Sequence, residues 1–339
     1  MKKEVLVIKT KEDLKISSLK KGQTHHVLIH ITDNSLGVPW RVPLIVVNGA
    51  KKGPIVGLTA ALHGNELNGI PTIFKLAKQI NPEKMAGTLV MVPISNVPGY
   101  LMNQRHFSDN VDLNRIMPGK ASGLPSSLYA YQFINKIVKQ FDYLLDLHTA
   151  SHGRVNSLYI RADLENEECR TLAYLQNPQI IVQKFDSEGT LRGWANEHNI
   201  PAITIEIGNS NAFQHNLIDE TLEGVMNTLR FFKMIRGKVK DLVQDTIICD
   251  HSYWIYSKKG GIVDVLPELA DEIEAGQIIA RVFDVFGNVK EEVKADRSGV
   301  VIGKNVRPNC DAGTRIIHLG VHLMDPLPKN IPGNEEFVE

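Results

Sequence analysis

Cysteine is scarce in this sequence: only Cys169, Cys249 and Cys310, far apart in a chain of 339 residues. An odd number at wide spacing excludes a disulfide framework and a CxxC metal knuckle, and it fits a reducing compartment. An excess of one charge is lacking too, because 38 Lys and Arg balance 38 Asp and Glu for a formal net charge of zero. Without a positive field to hold a nucleic-acid backbone, a nucleic-acid partner is not expected. Long apolar runs are missing as well: none approaches the roughly 20 residues a membrane helix needs. At the start of the chain, the run Val5 to Ile8 is broken by Lys9, Lys11 and Glu12, too short for a secretory signal. The expectation is a cytoplasmic protein without a membrane partner. What is present is ordinary globular usage, 43% apolar and 22% charged, far from the composition of disordered chains.

The length leaves room for one enzyme-sized domain and a smaller companion. Residues 1 to 48 alternate apolar and polar positions, as in HHVLIHI, and predict strands packed on the main body. From there to about residue 240, short buried-type strands at 55–61, 87–94, 143–148 and 202–207 alternate with helical patterns at 68–80, 128–139, 191–198 and 218–234. This order predicts an α/β fold, a mostly parallel (mixed) sheet with helices on both faces. A polar loop spans 95–124, long enough to expect a function for it.

After Gly237 the texture changes to short strands and glycine turns, so residues 241–339 are expected to form a C-terminal all-β domain. A weak repeat there, Gly261-Ile262-Val263 to Gly276 and Gly299-Val300-Val301 to Gly313, resembles the flattened sandwich of biotinyl and lipoyl carrier domains. The position where a carrier keeps its modified lysine holds Asn288. A swinging-arm role is therefore not expected, and a domain that covers the active site is.

Four segments carry chemistry. In His63-Gly64-Asn65-Glu66, a strand delivers an imidazole and a carboxylate three residues apart, and one turn can aim both at a single point. The alternative is a helix start, with Glu66 favouring the dipole and His63 packed beside it. In Asp146-Leu147-His148-Thr149, Asp146 and His148 project to one side at the carboxyl end of a strand, where sites in open α/β sheets gather. His63, Glu66 and His148 then make a His₂Glu set with one open position, the composition of a catalytic zinc site. Asp146 is placed to accept the ring N–H of a ligand histidine. In Thr204-Ile205-Glu206-Ile207-Gly208, a lone carboxylate ends an apolar strand, suited to a general base or to a salt bridge with an arginine. In the long loop, Arg105, Asn114 and Arg115 suit a carboxylate grip and a polarised carbonyl, or simply a solvated surface.

Together these segments resemble the zinc carboxypeptidase-like superfamily and, within it, the succinylglutamate desuccinylase/aspartoacylase family. The matching features are HGNE at 63–66, Arg105 seven residues before Asp112, DLNR at 112–115, Pro118-Gly119, DLHT at 146–149 and TIEIG at 204–208, in order over about residues 45 to 235. The resemblance implies a zinc carboxypeptidase-like catalytic domain over 49–240 and one Zn²⁺ per chain on His63, Glu66 and His148. It implies Glu206 as general base and later acid, Arg105 as the group that stabilises the oxyanion, and Asn114 with Arg115 as the clamp on the substrate carboxylate. Further substrate contacts are expected from Gly153 to Arg161 and from Arg192.

The function expected is hydrolysis of the amide bond in a small, anionic N-acyl amino acid or related compound. Two alternatives stand beside it: a zinc carboxypeptidase acting on short peptides, and a non-catalytic binding or carrier protein. Acyl group, amine half and homo-oligomer formation are left open.

Overall fold

The computed structural model describes residues 8–185, 189–240 and 246–323. The expected boundary near 237 to 245 therefore lies partly outside the described residues. In the first part the chain forms β1 (Ile8–Lys11), β2 (Gln23–Asp33), β3 (Pro39–Asn48), β4 (Lys51–Ala60), α1 (Gly69–Gln79), β5 (Ala86–Val92) and the short helix α2 (Val97–Leu101). There follow α3 (Pro125–Lys136), β6 (Tyr143–His148), β7 (Arg154–Asn156), β8 (Leu158–Ala162), α4 (Glu167–Leu175), β9 (Ile180–Gln183), α5 (Leu191–Glu197), β10 (Ala202–Ile207) and α6 (His215–Phe231).

The centre of the sheet is β5-β4-β6-β10, all parallel. These strands are nearly continuous apolar runs because both faces are covered. Leu145 and Leu147 pack with α1, α4 and α6, while Leu144 belongs to the core under α3 and α5. Residues of even number in β6 and β10 thus share the α3/α5 face, and Asp146, His148, Thr204 and Glu206 lie on it. Both strands run to their carboxyl ends with polar side chains on that one face, and there the site forms.

The sheet is less parallel than its pattern suggests. Antiparallel joints occur between β3 and β5 and between β10 and β8, and β2 pairs with β3 antiparallel over most of its length. The reason lies in burial: β2 buries every second residue, so one face meets the core and no crossover helix is needed. Residues 158–183, which carry β8, α4 and β9, have no counterpart in the pattern reading. The polar loop at 95–124 holds α2 and a 3₁₀ turn at Leu113–Arg115.

The tail is all-β: β11 (Ile247–Tyr256), β12 (Gly261–Val265), β13 (Glu272–Ile273), β14 (Ile278–Phe283), β15 (Val289–Lys294), β16 (Gly299–Asn305), β17 (Asn309–Cys310) and β18 (Arg315–His322). It divides between two sheets. Strand β11 runs parallel to β9, and β18, β16 and β13 continue the large sheet beyond it. The others form a separate sheet in the order β15-β14-β12-β17. Val263, Ile279 and Val282 of the small sheet share a core with Val301, Ile317 and Leu319 of the large one. Asn288 sits at the β14–β15 turn, where its backbone N–H and its side chain both bond the Asp284 carboxylate. That position closes a hairpin.

All three cysteines are buried, and the Cys169 thiol donates to Asn196 Oδ1 at 3.4 Å. Burial pushes the Cys249 thiol up to about 12, far from the thiolate. A thiol reagent at neutral pH is expected to find no reactive cysteine in the folded chain and all three after denaturation; rapid labelling of the native protein would contradict this burial. No helix among the described residues is long and apolar enough to cross a membrane.

Candidate active site

The turn after β4 brings the first two donors in. Its backbone bond runs from the Glu66 N–H to the His63 carbonyl at 3.0 Å, so both side chains leave a single turn. Gly64 makes that turn possible: a Cβ there would sit 2.0 Å from the Gly99 carbonyl carbon and 2.2 Å from the Tyr100 nitrogen. The turn is thereby pressed against α2. His148 arrives from the end of β6, and the ligand atoms of His63, Glu66 and His148 lie within 4.8 Å of one another. Glu66 Oε1 is 2.9 Å from His63 Nδ1, and Glu66 Oε2 is 2.8 Å from His148 Nδ1.

Each imidazole uses its second nitrogen on another carboxylate. His63 Nε2 is 3.1 Å from Asp112 Oδ1, and His148 Nε2 is 2.8 Å from Asp146 Oδ2. Asp146 is fixed in turn by the Thr59 hydroxyl, which donates to Oδ1 at 2.7 Å. Such outer carboxylates set tautomer and ring orientation, leaving both Nδ1 atoms to face Glu66. Arg105 closes the other side. Its Nη1 donates to Glu66 Oε1 at 3.0 Å and to Ser151 Oγ at 2.8 Å, and its Nη2 donates to Asp112 Oδ2 at 2.9 Å.

These charges are compatible with a bound metal. Burial alone would raise Glu66, but the two imidazoles hold it well below the usual carboxylate range. Asp112 behaves alike: burial opposes, and His63 and Arg105 override it downward. His148 is pushed well above the ordinary range, against burial, by Asp146 and Glu66. A bound divalent cation would displace the His148 proton; with both imidazoles then neutral as ligands, Glu66, Asp112 and Asp146 set against Arg105 leave two negative charges. That is the complement of a divalent cation, and two nitrogens with one carboxylate oxygen suit a zinc-type ion.

Glu206 stands beside this set. In the β6–β10 register it is directly opposite His148, and in the β10–β8 register opposite Tyr159. Its carboxylate touches Arg161 Nη2 at 3.2 Å and accepts from Asn156 Nδ2 at 3.3 Å. A salt bridge and a position in the site therefore coexist at this residue. Gly208, two residues on, has φ of +62°, and a Cβ there would collide with Gln214 at 2.1 Å. Glycine is what lets the chain turn away at the strand end.

A cavity of about 610 Å³ opens over these groups, in the range of small-molecule sites. Arg105, Asn114, Arg115 and Glu206 line it with the three clustered donors. Asn114 is anchored, since its Oδ1 accepts from the Leu191 N–H at 2.8 Å, and Arg115 Nη1 donates to the Asn114 carbonyl at 2.7 Å. Arg154, Arg161, Lys184 and Arg192 add further cations. The tail supplies Trp254 from β11 and Arg315 and His318 from β18. It also steadies the rim, because β16 pairs with β7, Gly303 opposite Asn156 and Asn305 opposite Arg154.

The sequence model of the succinylglutamate desuccinylase/aspartoacylase catalytic domain matches residues 52–232, more than half of the chain. The chain belongs to the succinylglutamate desuccinylase/aspartoacylase family. One relative, the N-alpha-acetyl-L-2,4-diaminobutyric acid deacetylase of Halomonas elongata, is 26% identical over 296 residues, 82% of this chain and 85% of its own. Among solved structures, a succinylglutamate desuccinylase from Silicibacter sp. TM1040 superposes with a TM-score of 0.80 at 22% identity, covering 90% of this chain and 98% of that one. The product-bound ectoine utilization protein EutE (DoeB) from Ruegeria pomeroyi gives 0.81 at 21% identity, with the same coverage. At such identities the two structures speak for the fold.

Within this family member, the pattern reading passed over several residues that the fold brings to the site. Asp112 stands in the sequence as part of the loop motif, and in the fold it orients His63 and pairs with Arg105. Its spacing from Arg105 was the available signal. Trp254, Arg315 and His318 had none, because they lie more than 45 residues beyond Glu206 and reach the cavity only through β11 and β18. His318 stacks on Trp254 with centroids 5.0 Å apart, and its Nε2 meets Ser252 Oγ at 2.9 Å.

Burial first, then Arg161, Arg154 and other nearby cations, hold the His318 pKa well below the usual histidine value. The unfolded chain therefore binds a proton there that the folded chain refuses. Its contribution to stability is complete above about pH 6.5 and is lost as pH falls, by at most about 1.4 kcal/mol per pH unit. H318Q is expected to flatten this acid slope when urea midpoints at pH 7.5 and 5.5 are compared; an unchanged slope would contradict a neutral buried imidazole.

Proposed function

We propose that this protein is a zinc-dependent amidohydrolase that cleaves the linear amide bond of a small N-acyl amino acid, with residues 49–240 carrying the chemistry and 241–339 covering it. The observation that carries the reading is one cation-rich cavity holding the His63–Glu66–His148 donors with Glu206 alongside. Family membership and the deacetylase from Halomonas elongata support the deacylase chemistry. The chain's own residues supply the rest of the argument.

His63, Glu66 and His148 would hold the ion, oriented through Asp112 and Asp146. Zinc in such a site supplies a water acidified to about neutral pH and a Lewis acid for the acyl carbonyl. Glu206 takes a proton from the attacking water as the new C–O bond forms. It then returns the proton to the departing nitrogen as the C–N bond breaks, releasing carboxylate and amine. Arg105, whose Nη1 stands 3.0 Å from Glu66 Oε1 beside the donor set, would stabilise the developing oxyanion. Arg115 and the Asn114 side chain hold the free carboxylate of the amino acid half.

A carboxypeptidase would use the same groups but needs an open groove for the rest of the peptide, whereas here Trp254 and Arg315 of the tail line the cavity. The deciding experiment is a screen of the zinc-loaded full chain against N-acyl amino acids and short peptides, read by released amine. Turnover of the N-acyl amino acids is expected. Turnover of peptides of several residues alone would overturn the assignment in favour of a peptidase.

A further inference from the structure

Glu206 is held at both of its carboxylate oxygens. Arg161 Nη2 reaches Oε1 at 3.2 Å, and the Asn156 side chain donates to Oε2 at 3.3 Å. These two partners are placed by different parts of the chain. Arg161 lies on β8, which pairs directly with β10, so the sheet that carries Glu206 also carries its cation. Asn156 ends β7, a strand of three residues whose one strand partner among the described residues is β16 of the tail. The tail grips β7 at both ends: the Ser157 N–H donates to the Ile302 carbonyl at 3.0 Å, and the Val306 N–H donates to the Gly153 carbonyl at 3.1 Å.

Between these two bonds Gly303 stands opposite Asn156. A Cβ at Gly303 would lie 2.4 Å from Asn156 Oδ1 and 2.9 Å from the Val155 carbonyl oxygen, closer than carbon and oxygen approach without displacement. The Asn156 amide therefore rests against the bare backbone of β16, with only 6% of the residue exposed. What this contact removes is side-chain freedom. The terminal torsion of a glutamate is broad and roughly two-fold, so a single contact at Oε1 leaves the carboxylate able to swing about it. A second donor at Oε2 fixes the carboxylate plane, and with it the direction of the lone pairs offered to a water.

We propose that Asn156 is a positioning residue for Glu206, set in place through Gly303, so that the tail orients the general base from across β7. The proposal rests on the amidohydrolase reading above and adds a task for the tail besides covering the site. A neutral amide suits that task. It donates to the carboxylate without bringing a second cation, which would favour the ionised form and weaken the base.

The test assays zinc-loaded full chains on whichever N-acetyl or N-succinyl amino acid the wild type turns over fastest. N156A and G303A are each expected to lose about tenfold in kcat, with KM and zinc content unchanged. A residue that acts through Glu206 has nothing to act on once Glu206 cannot take a proton, so N156A is expected to cost less than about twofold in the E206Q background. The same logic ties Gly303 to Asn156: N156A/G303A is expected to match N156A, because the oxygen that the new Cβ strikes is gone.

Equal losses from N156A in the wild-type and E206Q backgrounds mark a packing role and overturn the proposal, as does an N156A enzyme within about twofold of wild type. Should N156A fail to fold, G303A and G303A/E206Q decide by the same comparison. If the wild type hydrolyses no N-acyl amino acid, the amidohydrolase reading falls and the positioning role falls with it. Turnover by the wild type with equal losses in both backgrounds overturns the positioning role alone.

Discussion

On the proposed zinc assignment, H148A is expected to bind no zinc and to show amidase activity about four orders of magnitude or more below wild type, because both depend on the same donor set. The donors are shared so closely that no local repair is available. Glu66 spans His63 and His148 with its two oxygens, and each imidazole is already committed at its other nitrogen to Asp112 or Asp146. Removing one ring leaves buried carboxylates without a counter-charge, a cost the folded chain can relieve only by taking up protons or water. The gentler change D146A is expected to keep the ligands and lower metal affinity by about 10- to 100-fold, because the His148 ring loses its orienting partner. Metal content by elemental analysis, with activity after chelation and after adding zinc back, checks both. Full amide hydrolysis by metal-free wild type would remove the basis of the reading.

E206Q should leave zinc content intact and reduce kcat by about 10²- to 10⁴-fold, with KM little changed. Glutamine preserves the shape of the side chain, and its Oε1 can still face Arg161 Nη2. It cannot take a proton at the working pH. That separates the transfer step from the packing role, since loss of the salt bridge alone would appear as a lower unfolding midpoint with activity retained. If kcat stays within a few-fold of wild type in the zinc-loaded protein, the proton passes elsewhere and Glu206 serves structure. The register offers a reason to expect otherwise: Glu206 lies opposite His148 on the neighbouring parallel strand.

Local segments were legible wherever one physical rule governed them. The strand at 143–148 has the bounds its pattern gives, and so does 202–207, because both are short apolar runs buried on two faces. Polar residues at the ends of such strands are costly unless used, which is why Asp146, His148 and Glu206 stand out in a linear reading. Glycine positions were equally informative. Gly64 and Gly208 sit where any side chain would strike backbone or a neighbouring helix. By contrast, β8 and β9 were invisible. Arg154 to Gln183 mixes charged and apolar residues because one strand serves both the cavity and the core: Tyr159 and Arg161 face Glu206 while Leu158 and Ile160 pack under α4 and α6.

The chain alone determined its class and the short list of residues able to bind a metal, since these follow from composition, spacing and the side on which a strand's residues fall. Tertiary structure decided what surrounds that list. The zero net charge of the sequence conceals a cavity in which cations outnumber carboxylates, and only folding brings Arg154, Arg161, Lys184 and Arg315 within reach of one another. Only the pairing of β11 with β9 and of β16 with β7 brings Trp254 and the tail into the site. Interactions between strands more than 60 residues apart depend on which edges remain unpaired after the sheet forms, a property of the assembled sheet that no local window of sequence contains.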